Sequence, residues 1–486
     1  MFKKSWIIAL LLAGLILPVC PIHEAAKAEG GADLDLTEIC DARPSPEKVK
    51  ESVMCFLPPR PPTQCRDCLT AGVAVAILKH NPESAVDKPP EVFFKCTVGS
   101  ANVERREPIT KDTVFDLASI TKQFTAAGIM MLIEDPKVKL KNGYRLTVET
   151  NLSDILDFPP AKEKDIILAD LLTHQSGLPD YIDEYQRRHK FNFDKLLLKG
   201  NPSWYETMDH RAGRVELTNQ MALELIEKAV PKRGTAPGTD FNYSNSGYVV
   251  LAQIIEKLSG KSYKEFMREK IFKPLGMTNT FVFDDKSGKI PNHAFPYRQT
   301  NGRYFAIDGY SPINFVYGDG NIHSTLDDLI KWIQALDKIE HGQEGALLKR
   351  ETLMTAFQST RLREDLRKAL RYGFGWFVAR KDKEMGGPST RVIYHGGDWY
   401  GFHSFMLDGH IEKSGKTVCE LTMIVLSNFE AEKHDSSQNR ECHLARDLSK
   451  LFWGGDKSEN IILDDTKLDC GSVPKPACVA PPLRCN

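Results

Sequence analysis

The β-rich segments of this 486-residue chain lie near its two ends, and helix-forming segments fill the middle. AGVAVAIL at 71–78 and VFFKCTV at 92–98 predict a hairpin, because both are short apolar runs separated by a polar segment with proline. Strand patterns return only from residue 373 onward and end with VCELTMIVL at 418–426. This distribution predicts one sheet assembled from both chain ends, with a helical lobe inserted between them.

The cysteines support the same arrangement. Ten of the eleven fall into two groups of five, at residues 40–96 and 419–485, with none in between. If all ten pair, at least one bridge must join the two groups, because each group has an odd number of members. An even total suits an oxidising compartment. Cys65 and Cys68 form a single CxxC that no second pair completes, so we predict structural bridges and no metal site.

The first residues are typical of a secretion signal. Two lysines precede an apolar run at 6–19, which is too short to span a bilayer. An A-x-A motif at 26–28 predicts cleavage before Glu29. A lipoprotein anchored through Cys20 is the alternative, which the bulky Val19 before that cysteine disfavours. No later segment is long and apolar enough to be transmembrane.

We predict four regions along the chain. Residues 1–28 form a signal peptide, 29–70 a disulfide-rich N-terminal extension and 456–486 a tail rich in cysteine and proline. Between them, residues 71–455 form one α/β (α+β) domain whose helical lobe occupies about 136–340. With 64 Lys and Arg against 65 Asp and Glu, the chain has a net charge of −1, which gives no case for a nucleic-acid partner.

One stretch of the domain carries the parts of a nucleophilic site. The run VFDLASITKQFTAAGIMMLIE at 114–134 predicts a helix that begins near Ala118. Ser119 and Lys122 are three residues apart and therefore share a helix face. Ser119 falls in the first turn, where unpaired backbone N–H groups favour developing negative charge. Two other Ser-x-x-Lys matches lie among prolines without helical periodicity, so Ser119 is the candidate nucleophile.

Two further motifs stand downstream. Tyr243-Ser244-Asn245 lies in a polar segment between two predicted helices. His395-Gly396-Gly397 ends a β-rich run, where small residues let a substrate backbone approach closely. We interpret His174, in THQSGL, as a structural histidine. The thirteen histidines form no HExxH or HxH cluster, which disfavours a metallohydrolase.

Taken in order, Ser-x-x-Lys, Tyr-x-Asn and His-Gly-Gly resemble the three motifs of the serine β-lactamase and penicillin-binding protein superfamily. The flanking phrases LLTHQSGL, FNYSNSGYVVLAQIIE and HGGDWYGF resemble those of its class C β-lactamase-like branch, which includes esterases, D-amino-acid peptidases and DD-carboxypeptidases. The likeness covers roughly residues 71–428. It implies an antiparallel sheet flanked by helices with an inserted all-helical lobe, and an exported serine hydrolase that needs no cofactor.

The resemblance also implies a role for each motif residue. Ser119 would be the acylated nucleophile, activated by Lys122 and Tyr243. Backbone N–H groups of Ser119 and Asp398 would form the oxyanion hole. The residues that would hold the substrate are Asn245, His395, Gly396, Gly397 and Asp398. Either a protonated Lys122 makes Tyr243 the base, or a neutral Lys122 is the base and Tyr243 relays the proton; the sequence leaves both open.

Two departures from the family motifs narrow the range of substrates that we expect. His395 stands where most β-lactamases of the superfamily have lysine, and a histidine is only partly charged at neutral pH. Tyr-x-Asn in place of the class A Ser-Asp-Asn argues against a separate glutamate for deacylation. We therefore expect an ester or D-amino-acid peptide substrate in preference to a β-lactam.

The alternative is a penicillin- or peptidoglycan-binding protein that keeps the fold without turnover. Intact Ser119, Lys122 and Tyr243 count against it.

Overall fold

A computed structural model describes residues 70–80, 88–158, 165–189, 217–284, 289–300, 303–307, 315–358, 370–381, 389–413 and 416–430. The predicted signal peptide, nearly all of the N-terminal extension, the helix expected around Cys442 and the C-terminal tail lie outside these residues. Within them, no helix has the length and hydropathy needed to cross a membrane.

Fifteen strands occur in the described residues. In chain order they are β1 (Val73–His80), β2 (Glu91–Val98), β3 (Ser100–Asn102), β4 (Glu107–Pro108), β5 (Phe115–Asp116), β6 (Phe281–Val282), β7 (Tyr297–Thr300), β8 (Arg303–Ala306), β9 (Ile322–Ser324), β10 (Leu370–Tyr372), β11 (Phe377–Lys381), β12 (Ser389–Trp399), β13 (Phe402–Lys413), β14 (Lys416–Ser427) and β15 (Phe429–Glu430). The predicted hairpin of β1 and β2 is present as an antiparallel pair.

Seven of these strands form the central antiparallel sheet, in the order β10-β11-β12-β13-β14-β1-β2. The N-terminal strand β1 pairs with β14 along its whole length, from Val73 opposite Ser427 to His80 opposite Glu420. The prediction that both chain ends build one sheet is thereby confirmed. Because β1 lies inside the sheet, Val73 to Leu78 are fully buried, which explains a run that is apolar without alternation.

Within the part of the chain that the structure describes, eight α-helices accompany the sheet. They are α1 (Thr121–Glu134), α2 (Leu168–Leu172), α3 (Tyr181–His189), α4 (Asn219–Arg233), α5 (Asn245–Ser259), α6 (Tyr263–Met267), α7 (Leu326–Glu340) and α8 (Arg350–Gln358). A 3-10 turn at Ala118–Ile120 leads directly into α1, as the predicted start near Ala118 requires. Most of α1 is buried, because it packs against α5 and α6 and continues directly from the 3-10 turn, which contacts β12.

The inserted lobe differs from the expected all-helical segment, because short strands interrupt it. Strands β6 and β9 form a small sheet with β5, and β7 and β8 form another with β15. Each of these strands has two to four residues, too few to show the alternation from which a strand is predicted. Strand β15 follows β14 and pairs in parallel with β7, so the main chain itself ties the lobe to the sheet.

Aromatic packing holds α1 in place. The Phe124 ring lies 4.5 Å from the ring of Trp332 on α7, centroid to centroid. The indole Nε1 of the fully buried Trp332 donates to Gln123 Oε1 at 3.1 Å. Helix α1 is therefore fixed against α7 immediately after the turn that carries Ser119.

Strand β12 touches that turn directly. A Cβ added at Gly397 would lie 2.2 Å from the carbonyl oxygen of Leu117, far inside van der Waals contact. One residue earlier, a Cβ at Gly396 would meet Ser404 O at an ordinary 3.8 Å. Glycine at 397 is therefore required by the close approach of two backbones.

We predict that Gly397→Ala lowers the free energy of unfolding by about 1–3 kcal/mol, the usual cost of overpacking. Gly396→Ala is the matched control, because its added methyl group meets no close atom. Urea unfolding of both variants checks this difference. Equal destabilisation by the two substitutions would contradict the packing argument.

Candidate active site

Ser119 is presented by a strained turn. The preceding residue, Ala118, has φ +46, a conformation that costs a non-glycine residue roughly 1–3 kcal/mol. The buried Asp116 carboxylate accepts a hydrogen bond from the Ala118 N–H at 2.8 Å. A hydrogen bond to a charged acceptor contributes about 1.5–3 kcal/mol, enough to offset the strain. Asp116 therefore stabilises the backbone that orients Ser119.

Lys122 is fully buried, and its amino group has three neighbours. Nζ lies 3.0 Å from Ser119 Oγ, 2.8 Å from Asn245 Oδ1 and 2.9 Å from the Asp319 carbonyl oxygen. The amide and carbonyl oxygens can only accept, so two N–H groups of Lys122 are committed to them. The Ser119 hydroxyl can accept or donate, so this bond fits an ammonium and a neutral amine equally.

Tyr243 faces the same amino group. The Lys122 Nζ lies 5.0 Å from the centre of the Tyr243 ring. The Tyr243 Oη is buried and forms no hydrogen bond with any described residue. A phenol with spare hydrogen-bonding capacity whose ring faces the amine can take up or relay a proton.

Asn245 is fixed by its backbone. It begins α5, so the helix starts within the motif that was predicted to lie in a polar segment between two helices. Its N–H donates to Asp180 Oδ2 at 2.7 Å, and Asp180 Oδ1 accepts from the Ile182 N–H at 2.8 Å. Asp180 thus ties α5 to the start of α3 and aims the Asn245 side chain at Lys122.

The third motif lies on an open strand edge. The expected strand end at the glycines is wrong, because β12 continues through them to Trp399 and pairs with β13 throughout. On its other side, pairing with β11 stops at Tyr394. Trp399 and Phe402 close a two-residue hairpin loop, so the alternation of hydrogen bonds turns the Asp398 N–H away from β13. This N–H points to the free edge, as the predicted oxyanion-hole donor must.

His395 is a neutral imidazole. Its Nδ1 lies 2.6 Å from the Gly396 carbonyl oxygen, which can only accept, so Nδ1 carries the proton. Its Nε2 then accepts from the Tyr372 hydroxyl at 3.0 Å. Burial, helped by the Lys122 charge, lowers the pKa of His395 to about 3. The expected partial charge is therefore wrong, because desolvation removes it.

Sequence reasoning missed the aromatic wall behind Tyr243. The His174 ring lies 4.2 Å from the Tyr243 ring and 4.4 Å from the Tyr372 ring. Its Nδ1 accepts from the Ser244 N–H at 3.2 Å, and burial lowers its pKa well below the ordinary value. His174 thus has the structural role expected for it, within the site. The phrase LLTHQSGL, which resembles a phrase of the family, could have identified His174 as a site residue. No comparable sequence phrase pointed to Tyr372.

The described residues contain three groups of His, Asp and Glu close enough to share a metal ion. None of the three includes Ser119, Lys122 or Tyr243. Around Ser119 the donors are a hydroxyl, an amine, a phenol and an amide, a set suited to proton transfer and poorly suited to binding a metal ion.

A serine at a helix start, bonded to a buried lysine beside the open edge of an antiparallel sheet, is an arrangement of the β-lactamase and transpeptidase fold. The Beta-lactamase family model matches residues 66–446, so the chain belongs to this family, as its motifs predicted.

Similar proteins agree with this assignment. The chain is 28% identical to a Bacillus subtilis penicillin-binding protein, over 70% of this chain and 66% of the relative. It is 27% identical to a Gluconobacter oxydans D-aminopeptidase, over 69% of this chain and 53% of the relative. The chain thus spans between about half and two thirds of the length of these relatives.

Solved structures show the same fold. An octameric penicillin-binding protein homologue from Pyrococcus abyssi superposes with a TM-score of 0.57 at 22% identity, over 88% of this chain and 79% of the other. The D-amino acid amidase of Ochrobactrum anthropi SV3 gives a TM-score of 0.56 at 21% identity, over 83% of this chain and 97% of the amidase chain.

The state of His395 gives a pH-dependent prediction. A folded-state pKa near 3 lies below the unfolded value near 6.5, so stability falls as pH drops through this window. Between about pH 7.5 and about pH 5 the His395 contribution falls by ~2 kcal/mol. The variant His395→Gln keeps an acceptor for the Tyr372 hydroxyl. It should remove the part of the pH dependence of stability that His395 contributes.

Urea unfolding at both pH values measures the effect, with the exposed His189→Gln as the control. An identical pH dependence in wild type and His395→Gln would show that His395 is not a buried neutral group.

Proposed function

We propose that the chain is an exported serine hydrolase that cleaves an ester or amide bond through an acyl-enzyme on Ser119. The supporting observation is the 3.0 Å contact between Ser119 Oγ and Lys122 Nζ, with the ring centre of Tyr243 at 5.0 Å from the same Nζ. A serine hydroxyl becomes a useful nucleophile when a positioned group removes its proton during attack.

The reaction follows from these positions. Ser119 Oγ attacks the substrate carbonyl carbon while its proton passes to the pair formed by Lys122 and Tyr243. The oxyanion receives hydrogen bonds from the N–H groups of Ser119 and Asp398; one such donor changes kcat by about 10²–10³-fold. The proton then passes to the leaving group, and water releases the acyl group from Ser119 by the same steps in reverse.

The neutral third motif supports a proposal for the substrate class. At His395 a substrate carboxylate would find an uncharged imidazole whose two nitrogens are already bonded. We therefore propose esters and D-amino-acid amides or peptides that lack a carboxylate next to the scissile bond. The names of the D-aminopeptidase relative and the D-amino acid amidase neighbour are in keeping with this class.

Export is part of the proposal. It rests on the signal-like segment before Glu29 and on the even number of cysteines that remain after it. Cys96, on β2, is disulfide-bonded, which suits an oxidising compartment.

Intact-mass measurement with a fluorophosphonate tests the nucleophile. We predict one adduct on wild type and none on Ser119→Ala, a change that removes a single oxygen and leaves the fold intact. Ser153→Ala, at an exposed position, is the matched control and should label like wild type. Labelling of Ser119→Ala at the wild-type rate would refute the assignment.

Paired substrates test the substrate class. We predict that a D-amino-acid amide, or an ester without a carboxylate, is turned over at least about 10-fold faster in kcat/KM than an acyl-D-Ala-D-Ala peptide. About 1.4 kcal/mol, the loss of one modest ionic contact, gives this factor. A preference for the peptide would contradict the role given to His395. A persistent penicillin adduct without turnover of any substrate would support the non-turnover alternative.

A further inference from the structure

The mechanism above leaves one buried carboxylate in the site unused, that of Asp319. It lies in the turn that precedes β9 and is only 6% exposed. Lys122 Nζ donates to its carbonyl oxygen at 2.9 Å, and Tyr181 Oη donates to its Oδ2 at 3.0 Å. Thr125, on α1, fixes the turn by donating to Gly318 O at 2.6 Å.

Gly318 allows the turn to lie where it does. Its φ is +106, and a Cβ would stand 2.4 Å from the Tyr248 carbonyl oxygen on α5. The turn is thus pressed against α5 and bonded to α1, so Asp319 has little freedom to move. Its second oxygen, Oδ1, is buried and has no hydrogen-bond partner among the described residues.

The charge of Lys122 influences the pKa of the Asp319 carboxyl group. Burial raises the pKa of Asp319 to about 6, and the Lys122 charge is the largest influence that opposes this rise. The carboxylate is therefore largely ionised at neutral pH. Asp180 is a second carboxylate that senses Lys122, and burial raises its pKa as well.

Apart from Tyr243, the proposed base, whose ring centre lies 5.0 Å from Nζ, the other titratable groups around this pair are neutral. Burial raises the pKa of three phenols, those of Tyr181, Tyr248 and Tyr263. Burial and the Lys122 charge lower the pKa of His174 and His395. None of these neutral groups supplies the counter-charge that a buried ammonium requires.

We propose that the Asp319 carboxylate keeps Lys122 in its ammonium form, which makes Tyr243 the group that takes the Ser119 proton. Asp319 is then a positioning residue, acting through Lys122 without touching the substrate. The inference rests on the proposed function and chooses between the two proton routes that the hydrogen bonds of Lys122 permit.

The proton balance is explicit. Tyr243 enters as a phenolate paired with the Lys122 ammonium, and the Ser119 O–H bond breaks as its oxygen bonds to the carbonyl carbon. The proton moves to Tyr243 Oη and passes from there to the leaving group when the carbon–leaving-group bond breaks. Lys122 keeps its proton throughout.

Asp319→Asn tests this assignment through the pH profile of kcat/KM for an ester. Removing the carboxylate makes Lys122 easier to deprotonate. The basic limb of the profile, where kcat/KM falls as pH rises, should therefore move to lower pH by about one unit. Asp319→Glu keeps the charge and should retain the wild-type limb. Asp183→Asn, the same charge change at an exposed position of α3, is the matched control and should leave the limb in place.

Asp319→Ser is measured in parallel, because it removes the charge with a smaller side chain if the asparagine variant folds poorly. The pH dependence of fluorophosphonate labelling provides a second measurement of the same limb. Ser119-dependent turnover with an unmoved basic limb in the uncharged variants would overturn the inference and leave the proposed function standing. Absence of Ser119-dependent turnover and labelling in wild type would overturn the proposed function, and the inference with it.

Discussion

The buried amino group of Lys122 is the interaction on which the rest of the site depends. Removing an ammonium from water costs several kcal/mol. Each hydrogen bond to a charged group contributes about 1.5–3 kcal/mol, so three good partners can offset this cost where one cannot. Those partners belong to the nucleophile turn, to α5 and to the turn before β9. The three segments are far apart in the chain, and Lys122 fixes their distances. A change that displaces any of them leaves the buried amino group underbonded, so the three segments hold one another in place.

The second constraint is the edge of the sheet. An unpaired strand edge is usually a liability because it can pair with another chain. Here β11 stops opposite Tyr394 while β12 runs on to Trp399, and the overhang faces the turn that carries Ser119. Backbone N–H groups that would otherwise be unsatisfied can therefore bind a substrate. Gly397 makes this possible, since any side chain there would separate the edge from the nucleophile.

Sequence patterns correctly predicted the elements that are long enough to show a clear hydrophobic pattern. The apolar run of β1, the helix after Ser119 and the order of the three motifs needed no tertiary information. Strands β6 to β9 are too short to show a period, and α5 begins earlier than expected because Asp180, some sixty-five residues away, holds the N–H of Asn245. No sequence pattern pointed to Tyr372 or Asp319 either. Their roles come from contacts with His395 and Lys122, which the fold creates and no sequence spacing records.

The uncharged state of His174 and His395 has a consequence for catalysis. Both imidazoles sense the charge of Lys122, and in both burial is the largest cause of a lowered pKa. If either were protonated, it would repel the ammonium that the proposal places on Lys122. A neutral aromatic wall instead leaves positive charge concentrated at Lys122, where the Ser119 oxygen and the Tyr243 ring both face it. In a site of low dielectric this charge acts strongly on the groups that face it, and the buried carboxylates of Asp319 and Asp180 are the described groups that balance it. Under the proposed function, His395 thus leaves the electrostatics of the nucleophile unchanged and would offer a substrate carboxylate no charge to bind.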